Sequence, residues 1–226
     1  MPTLRCLTPT ALAVTLIAVA CTGDSRTIAK RPSAPDTTGT VNVVSPPAAT
    51  PIRAPDVFRV KFATSKGDVV IAIKRALAPR GTDRFHELVS IGYFSGVRFY
   101  RMVPGFVAQF GINGNPAVNA PWNKATFPDE PMRTSNTRGT VAFAASGANS
   151  RATQLFFSTG DNAKKLDGQR MFAPIGRIIE GMSVVGRLNS EYGEAPNHAR
   201  IVREGNAYLQ KWFPALDSIV SATIVP

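Results

Sequence analysis

The chain contains a series of short, strand-like runs separated by connections rich in Gly, Pro and Asn. Phe58, Val60 and Phe62 alternate with charged residues, and the turn-forming stretch 65–68 leads directly into the apolar run 69–73. This pattern is typical of a β-hairpin. Similar runs follow at residues 97–103, 107–111, 140–144, 155–158, 172–178 and 218–225. Many short strands with few helices predict an antiparallel sheet that is closed or nearly closed on itself.

Two helices are predicted beside these strands. Thr82 or Asp83 can cap a helix that runs to about Ile91, and a second short helix is predicted over residues 181–189. Residues 112–138 contain four prolines and are predicted to form a long irregular loop. Loops of that length in compact domains are usually functional.

Composition limits the number of domains and the chemistry they can use. The chain has 226 residues, 44% of them hydrophobic, which suits one domain of ordinary size, here predicted over residues 57–226. Both cysteines, Cys6 and Cys21, lie at the N-terminal end, so the rest of the chain can form neither a disulfide nor a cysteine metal site. We expect no metal and no cofactor, and we expect a monomer.

The net charge of +11 raises the question of a nucleic-acid partner. The basic residues are scattered from Arg59 to Lys211 and are not clustered on one element, which argues against nucleic-acid binding. We therefore expect no nucleic-acid partner.

The N-terminal segment has the pattern of an export signal. The run from Ala11 to Ala20 is apolar except for Thr15, and as a helix it would span only about 15 Å. It is therefore too short for a membrane anchor, and residues 1–20 are predicted to be a signal peptide. Residues 21–56 are rich in proline and predict a disordered linker.

The cleavage site at the end of that signal can be interpreted in two ways. Ala18-Val19-Ala20 fits ordinary secretion, which would give a soluble secreted protein. The same residues followed by Cys21 resemble a bacterial lipobox, although Ala18 stands where leucine is usual. That resemblance implies a lipidated Cys21, membrane attachment, and a location in the periplasm or at the outer membrane.

The most informative stretch for chemistry runs from Phe99 to Gln109. Pro104-Gly105 suits the centre of a type II turn, which brings Arg101 and Gln109 close together. A two-residue loop would pair Arg101 with Ala108, whereas one extra residue would place Arg101 and Gln109 on the same face. The sequence leaves both registers open.

Arg101 has no acidic residue near it in sequence, because none occurs between Leu88 and Pro128. Its five N–H donors are therefore either available to a ligand or held by a distant acid such as Asp129 or Glu130. Both interpretations fit the sequence.

Five motifs together resemble the cyclophilin-type peptidyl-prolyl cis/trans isomerases, over about residues 57–190. They are Phe99-x-Arg101-x-x-Pro104-Gly105-Phe106-x-x-Gln109, Phe127-x-Asp129-Glu130, Gln154-x-Phe156-Phe157, Leu166-Asp167-Gly168 and Gly181-Met182. The resemblance implies a mainly β fold, a closed eight-stranded antiparallel barrel capped by two helices, with the active site on its outer surface. It also implies an isomerase of X-Pro bonds whose partners are proline-containing polypeptides, here exported proteins.

The resemblance also assigns site residues. Arg101 matches the catalytic arginine, and Gln109 and Phe106 belong with it in the predicted catalytic set. The predicted substrate-binding residues are Val107, Phe143, Ala144, Ala145, Gln154, Phe156, Leu166 and Phe172. Core packing would also explain Phe143.

The chain departs from the family pattern at the rim of the expected pocket. Lys165 stands where many members have tryptophan, Val107 replaces a methionine, Ala145 replaces an asparagine, and Phe172 takes the place of a histidine. These changes leave a second function open, namely a catalytically weak module of the same fold that binds peptides or acts as a chaperone in the cell envelope.

Overall fold

The computed structural model describes Pro47 and residues 52–226. The predicted signal segment, Cys21 and nearly all of the predicted linker lie outside these residues. The packed domain reaches back beyond the predicted start at Val57, because Ala54 is buried and its N–H donates to Asp83 Oδ1 at 2.9 Å. The predicted boundary is therefore a few residues late.

Within residues 52–226, eight antiparallel strands form a single curled sheet in the order β3-β4-β6-β5-β7-β2-β1-β8. The strands are β1 Val57–Thr64, β2 Gly67–Lys74, β3 Arg101–Val103, β4 Val107–Phe110, β5 Thr140–Phe143, β6 Leu155–Ser158, β7 Pro174–Glu180 and β8 Ile219–Val225. The predicted hairpin is β1–β2, with Val60 opposite Ile71.

The predicted full closure of the barrel is not confirmed, and the sheet is a half-barrel. β3 and β8 lie at opposite ends of the strand order. The residues just before β3 meet the start of β8, where Arg98 and Ser218 form an isolated bridge. Farther along β3, the N–H of Met102 donates to the carbonyl oxygen of Gly193 at 3.1 Å. A loop thus occupies the edge of β3 that a closed barrel would pair with a strand.

Helices are more numerous than predicted. The described residues contain six α-helices, α1 Pro79–Ser90, α2 Pro116–Lys124, α3 Ala163–Leu166, α4 Met182–Val185, α5 His198–Glu204 and α6 Asn206–Trp212. Two 3₁₀ turns cover Arg75–Leu77 and Arg170–Phe172. None of the described helices is long and apolar enough to cross a membrane.

Local signals explain the helix boundaries that differ from the prediction. α1 begins at Pro79, whose fixed φ suits the first helical turn, so Thr82 and Asp83 lie inside the helix and do not cap it. α2 lies in the stretch predicted to be irregular, and the side chain of Asn115 caps it by accepting from the N–H of Ala117 at 3.0 Å. α4 is shorter than the predicted helix over residues 181–189.

The interior of the half-barrel is filled by aromatic rings. Phe62, Phe94, Phe99, Phe110 and Phe157 are all buried. The ring centroids of Phe110 and Phe157 are 4.9 Å apart, and those of Phe99 and Phe110 are 5.2 Å apart. Tilted and edge-to-face contacts of this kind add to the hydrophobic stabilisation that burial supplies.

A second, smaller apolar cluster forms where α5 and α6 cover the outside of the sheet. Its buried members are Tyr100, Ile112, Ile201, Tyr208, Leu209 and Leu216. Phe213 is partly buried against this cluster, and its ring centroid lies 5.6 Å from that of Tyr208. Trp212, by contrast, is 55% exposed.

A buried cluster of charges joins α1 to the connections that precede β5 and β6. Both oxygens of the Glu130 carboxylate accept from the start of the helix, from the N–H of Arg80 at 2.6 Å and of Gly81 at 2.9 Å. Arg151 is fully buried, and its Nη2 lies 3.2 Å from Glu130 Oε2. Glu130 thus compensates both the helix N-terminus and a buried guanidinium.

We predict that Glu130→Ala lowers the free energy of unfolding by about 3–5 kcal/mol, because it leaves the buried Arg151 poorly compensated. Chemical denaturation followed by circular dichroism measures this change. Glu191→Ala, an exposed carboxylate, is the control and should change stability by about 0.5 kcal/mol or less. A loss of similar size in both variants would contradict the role given to Glu130.

Candidate functional site

The β3–β4 hairpin decides which side chains meet at the site. Arg101 pairs with Gln109 and Val103 with Val107, so the loop contains three residues, 104–106. Gly105 has φ 74°, which suits the third position of a type II turn, and the N–H of Phe106 donates to Val103 O at 3.0 Å. Phe106 is therefore the extra residue that places Arg101 and Gln109 on the same face.

The register continues across the neighbouring strands. Gln109 on β4 lies opposite Phe156 on β6, which in turn lies opposite Ala142 on β5. Arg101, Gln109 and Phe156 thus form one row on the outer face of the half-barrel. Positions in this row are fixed by backbone ladders, not by mobile loops.

An apolar hollow of about 120 Å³ lies beside this row. All predicted catalytic and substrate-binding residues except Phe143 and Gln154 line it, namely Arg101, Phe106, Val107, Gln109, Ala144, Ala145, Phe156, Leu166 and Phe172. The hollow is smaller than the roughly 300–1,000 Å³ of sites for drug-sized ligands. It suits one small apolar ring or side chain.

The structure does not place Phe143 at this hollow, so its assignment as a substrate-binding residue is wrong. Phe143 lies opposite Leu155 in the inward-facing row, and its ring packs edge-on against Phe127 with a centroid distance of 5.0 Å. Alternation along β5 points Val141 and Phe143 inward and Ala142 outward. Phe143 is a core residue.

Gln154 lies in an adjoining hollow of about 420 Å³ that shares Gln109, Ala144 and Ala145 with the first. The N–H of Ala144 donates to Gln154 O at 2.9 Å. The two hollows form a continuous groove, long enough for residues on either side of a bound ring.

Arg101 is held at the border of the groove by two acceptors. Its Nε donates to Glu194 Oε1 at 2.6 Å, its Nη2 also contacts that oxygen, and its Nη1 donates to Gln109 Oε1 at 3.2 Å. The guanidinium carbon lies 5.5 Å from the centroid of the Phe106 ring. Neither Asp129 nor Glu130, the acids considered from sequence, pairs with Arg101, because both contact Arg151.

Sequence reasoning missed Glu194, Tyr100 and His198 at this site. The hydroxyl of Tyr100 donates to Gln154 Oε1 at 2.6 Å, and Gln109 Nε2 donates to the same oxygen at 3.4 Å. His198, the first residue of α5, places Nε2 3.0 Å from the same oxygen. Burial raises the pKa of Tyr100, which keeps its hydroxyl protonated as a donor.

The altered rim residues surround Phe106 and Phe156. Lys165, at the position of the usual tryptophan, places Nζ 4.8 Å from the centroid of Phe106. Phe172 packs edge-on against Phe156 with centroids 6.0 Å apart, so it extends the aromatic wall. The wall is retained although the polar rim differs.

Asp167 stabilises the turn that carries Leu166. Its Oδ1 accepts from the backbone N–H of Asn136 at 2.9 Å and from Asn136 Nδ2 at 3.1 Å.

Among residues 52–226, no group of three or more His, Cys, Asp and Glu side chains is arranged to hold a metal ion.

This geometry defines a β half-barrel with a peptide-sized groove on its outer face, bordered by one arginine. A sequence model described as cyclophilin type peptidyl-prolyl cis-trans isomerase/CLD matches residues 59–205. Because that match spans more than half of the chain, the protein belongs to the cyclophilin-type peptidyl-prolyl cis-trans isomerase family.

Individual relatives agree with this assignment. A probable peptidyl-prolyl cis-trans isomerase of Brucella abortus is 31% identical over 151 residues, which cover 61% of this chain and 76% of the relative. Peptidyl-prolyl cis-trans isomerase A of Dickeya dadantii is 30% identical over 133 residues, covering 58% and 70%. A crystal structure of a cyclophilin type isomerase from Cryptosporidium parvum has a TM-score of 0.55 at 16% identity, covering 75% of this chain and 98% of that one.

We predict that folding stability falls as the pH drops from about 7 to about 5, because burial lowers the pKa of both His198 and His86. A base with a lowered pKa binds fewer protons in the folded than in the unfolded state, so acid favours unfolding. Denaturant titrations at both pH values measure this loss.

His198→Gln should make that loss smaller, since glutamine does not titrate and can still donate to Gln154. His86 supplies the remaining pH dependence in the variant. An unchanged pH dependence in His198→Gln would contradict the contribution of His198.

Proposed function

We propose that this groove accelerates rotation about X-Pro peptide bonds, with Arg101 as the catalytic residue. The observation that carries the proposal is the position of a fixed guanidinium on the border of an apolar hollow that fits a single ring. A second Cryptosporidium parvum structure, 18% identical with a TM-score of 0.55, is described as being in the presence of the dipeptide Ala-Pro. That description supports proline-containing peptides as the ligand class.

The reaction requires no covalent step. An X-Pro bond rotates through a twisted amide over a barrier of about 18–20 kcal/mol. Twisting removes amide resonance, so the imide nitrogen gains a lone pair that can accept a hydrogen bond. A donor at that position binds the transition state better than either planar ground state.

Arg101 can supply such a donor without a change in protonation. A guanidinium carries five N–H groups and stays charged in proteins. Glu194 and Gln109 contact all three of its nitrogens, but Nη1 and Nη2 each carry a second N–H that can face a client. One charge-assisted bond contributes about 1.5–3 kcal/mol, equivalent to about a 10- to 100-fold rate increase.

The rest of the acceleration comes from holding the client. Phe106, Phe156 and Leu166 grip the proline ring, while Gln109 and the backbone near Ala144 hold the carbonyl side. When the ring is held in place and the preceding residue turns, binding energy lowers the barrier to rotation about the X-Pro bond.

Arg101→Ala should therefore lower kcat/KM by about 10- to 100-fold or more while changing stability by about 1 kcal/mol or less. An isomerase assay on a short X-Pro peptide, together with a denaturation curve, measures both effects. Arg177→Ala, an exposed arginine on β7, is the matched control and should keep full activity. Equal kcat/KM in Arg101→Ala and the wild type would refute the role of Arg101.

The altered rim favours a second candidate function, a peptide-binding or chaperone module with weak catalysis. Lys165 and Phe172 change the surroundings of the hollow, and Glu194 occupies two nitrogens of Arg101. The same assay separates the two functions. Retained binding of an X-Pro peptide without acceleration would favour the module.

We further propose that the clients are exported proteins and that the chain acts in the periplasm or at the outer membrane. The support is the apolar run from Ala11 to Ala20 and the position of Cys21 directly after it. A soluble secreted form remains the alternative for the mature chain.

Mass spectrometry of the mature N-terminus in a bacterial host tests this location. We expect a chain that begins at Cys21 and carries the added mass of lipid, and we expect Cys21→Ser to abolish lipidation and release the protein from membranes. An unmodified mature chain would favour soluble secretion, and an uncleaved chain in the cytoplasm would contradict export.

A further inference from the structure

The loop that follows α4 lies along the free edge of β3. The carbonyl oxygen of Gly193 accepts from the N–H of Met102, the residue directly after Arg101, at 3.1 Å. Within the loop, Gly193 N–H donates to Ser190 O at 3.1 Å and Ala195 N–H donates to Tyr192 O at 2.8 Å. The first bond holds the loop against β3 beside Arg101, and the other two stabilise the loop's own backbone on both sides of Glu194.

Both ends of this loop are also anchored. The N–H of Asn189 donates to Asp217 Oδ2 at 2.7 Å, and the N–H of Asn197 donates to the hydroxyl of Tyr208 at 3.1 Å. Between them, the ring of Tyr192 packs edge-on against Phe213 with centroids 5.2 Å apart. The backbone that carries Glu194 is therefore held in place, although the Glu194 side chain is 61% exposed.

Glu194 contacts one edge of the Arg101 guanidinium, and Gln109 contacts another edge of the same group. Glu194 Oε1 accepts from Nε at 2.6 Å, whereas Gln109 Oε1 accepts from Nη1 at 3.2 Å. Two acceptors on different edges define the plane of the guanidinium, which a single acceptor would leave free to rotate. The N–H groups that remain on Nη1 and Nη2 are then aimed in a fixed direction.

From this arrangement we propose that Glu194 is a positioning residue that orients Arg101 for the isomerisation, which makes the inference rest on the proposed function. Stability does not explain the pair, because ion pairs this exposed contribute little to folding. The direction of the Arg101 N–H groups, by contrast, strongly affects how well they stabilise the transition state, because the hydrogen bond to the imide nitrogen requires a defined geometry.

The test compares kcat and KM of Glu194→Ala, Glu194→Gln and Glu191→Ala on the same X-Pro peptide. We expect Glu194→Ala to lower kcat about tenfold while KM changes by about twofold or less, since the hollow that binds the ring is intact. Glu194→Gln retains an oxygen that can accept from Nε, so it should recover most of the lost activity. Glu191→Ala removes a carboxylate from the same loop and should have wild-type activity.

A double-mutant cycle separates positioning from a general structural effect. If Glu194 acts through Arg101, Glu194→Ala has no further effect in the Arg101→Ala background. A tenfold loss in both backgrounds would overturn the proposal, because the residue would then act independently of Arg101. Unchanged or faster turnover in the single variant would also overturn it.

The outcome for the wild type distinguishes this inference from the proposed function. A wild-type chain that does not accelerate the reaction overturns the proposed function and with it the role of Glu194. An active wild type with an equally active Glu194→Ala variant overturns the positioning role alone. Melting curves of all variants confirm that each is folded.

Discussion

The packing of Phe110 against Phe157 inside the half-barrel is the constraint on which the site depends. Their centroids are 4.9 Å apart, and both rings are fully buried. Because side chains alternate along a strand, burying these two residues turns their neighbours Gln109 and Phe156 to the outside. The chemistry of the outer face is therefore set by the packing of the inner face, and a shift of one residue in register would destroy both.

Close backbone packing also fixes the position of the hairpin loop that carries Phe106. The carbonyl oxygen of Phe106 accepts from the N–H of Thr159 at 2.9 Å and from Asn162 Nδ2 at 2.8 Å. A Cβ on Gly160 would lie 2.2 Å from the carbonyl oxygen of Gly105, so only glycine allows this approach. The three-residue hairpin loop is thus held in place by the segment after β6, which also leads into α3 and Leu166.

The sequence alone predicts features that depend on neighbouring residues, and it fails where distant segments meet. Alternation locates the strands, and the ordered motifs select Arg101, Gln109 and Phe156, which the structure brings together in one row. The caps at Asn115 and Asn197 were readable signals for α2 and α5 that proline-rich surroundings obscured. No local pattern, however, links Glu194 to Arg101 across more than ninety residues. Phe143 was misplaced because both faces of β5 are apolar, which hides the direction of alternation.

The open edge of the half-barrel and the environment of Arg101 have one cause. In a fully closed barrel, the outer edge of β3 would bond to another strand along its length. Here the N–H of Met102 bonds to Gly193, so the loop that interrupts the closure also brings Glu194 to the guanidinium. The cluster formed by Tyr208, Leu209 and Phe213 supports that loop from behind. The helices α5 and α6 therefore affect the groove indirectly, by stabilising the segment that holds Arg101.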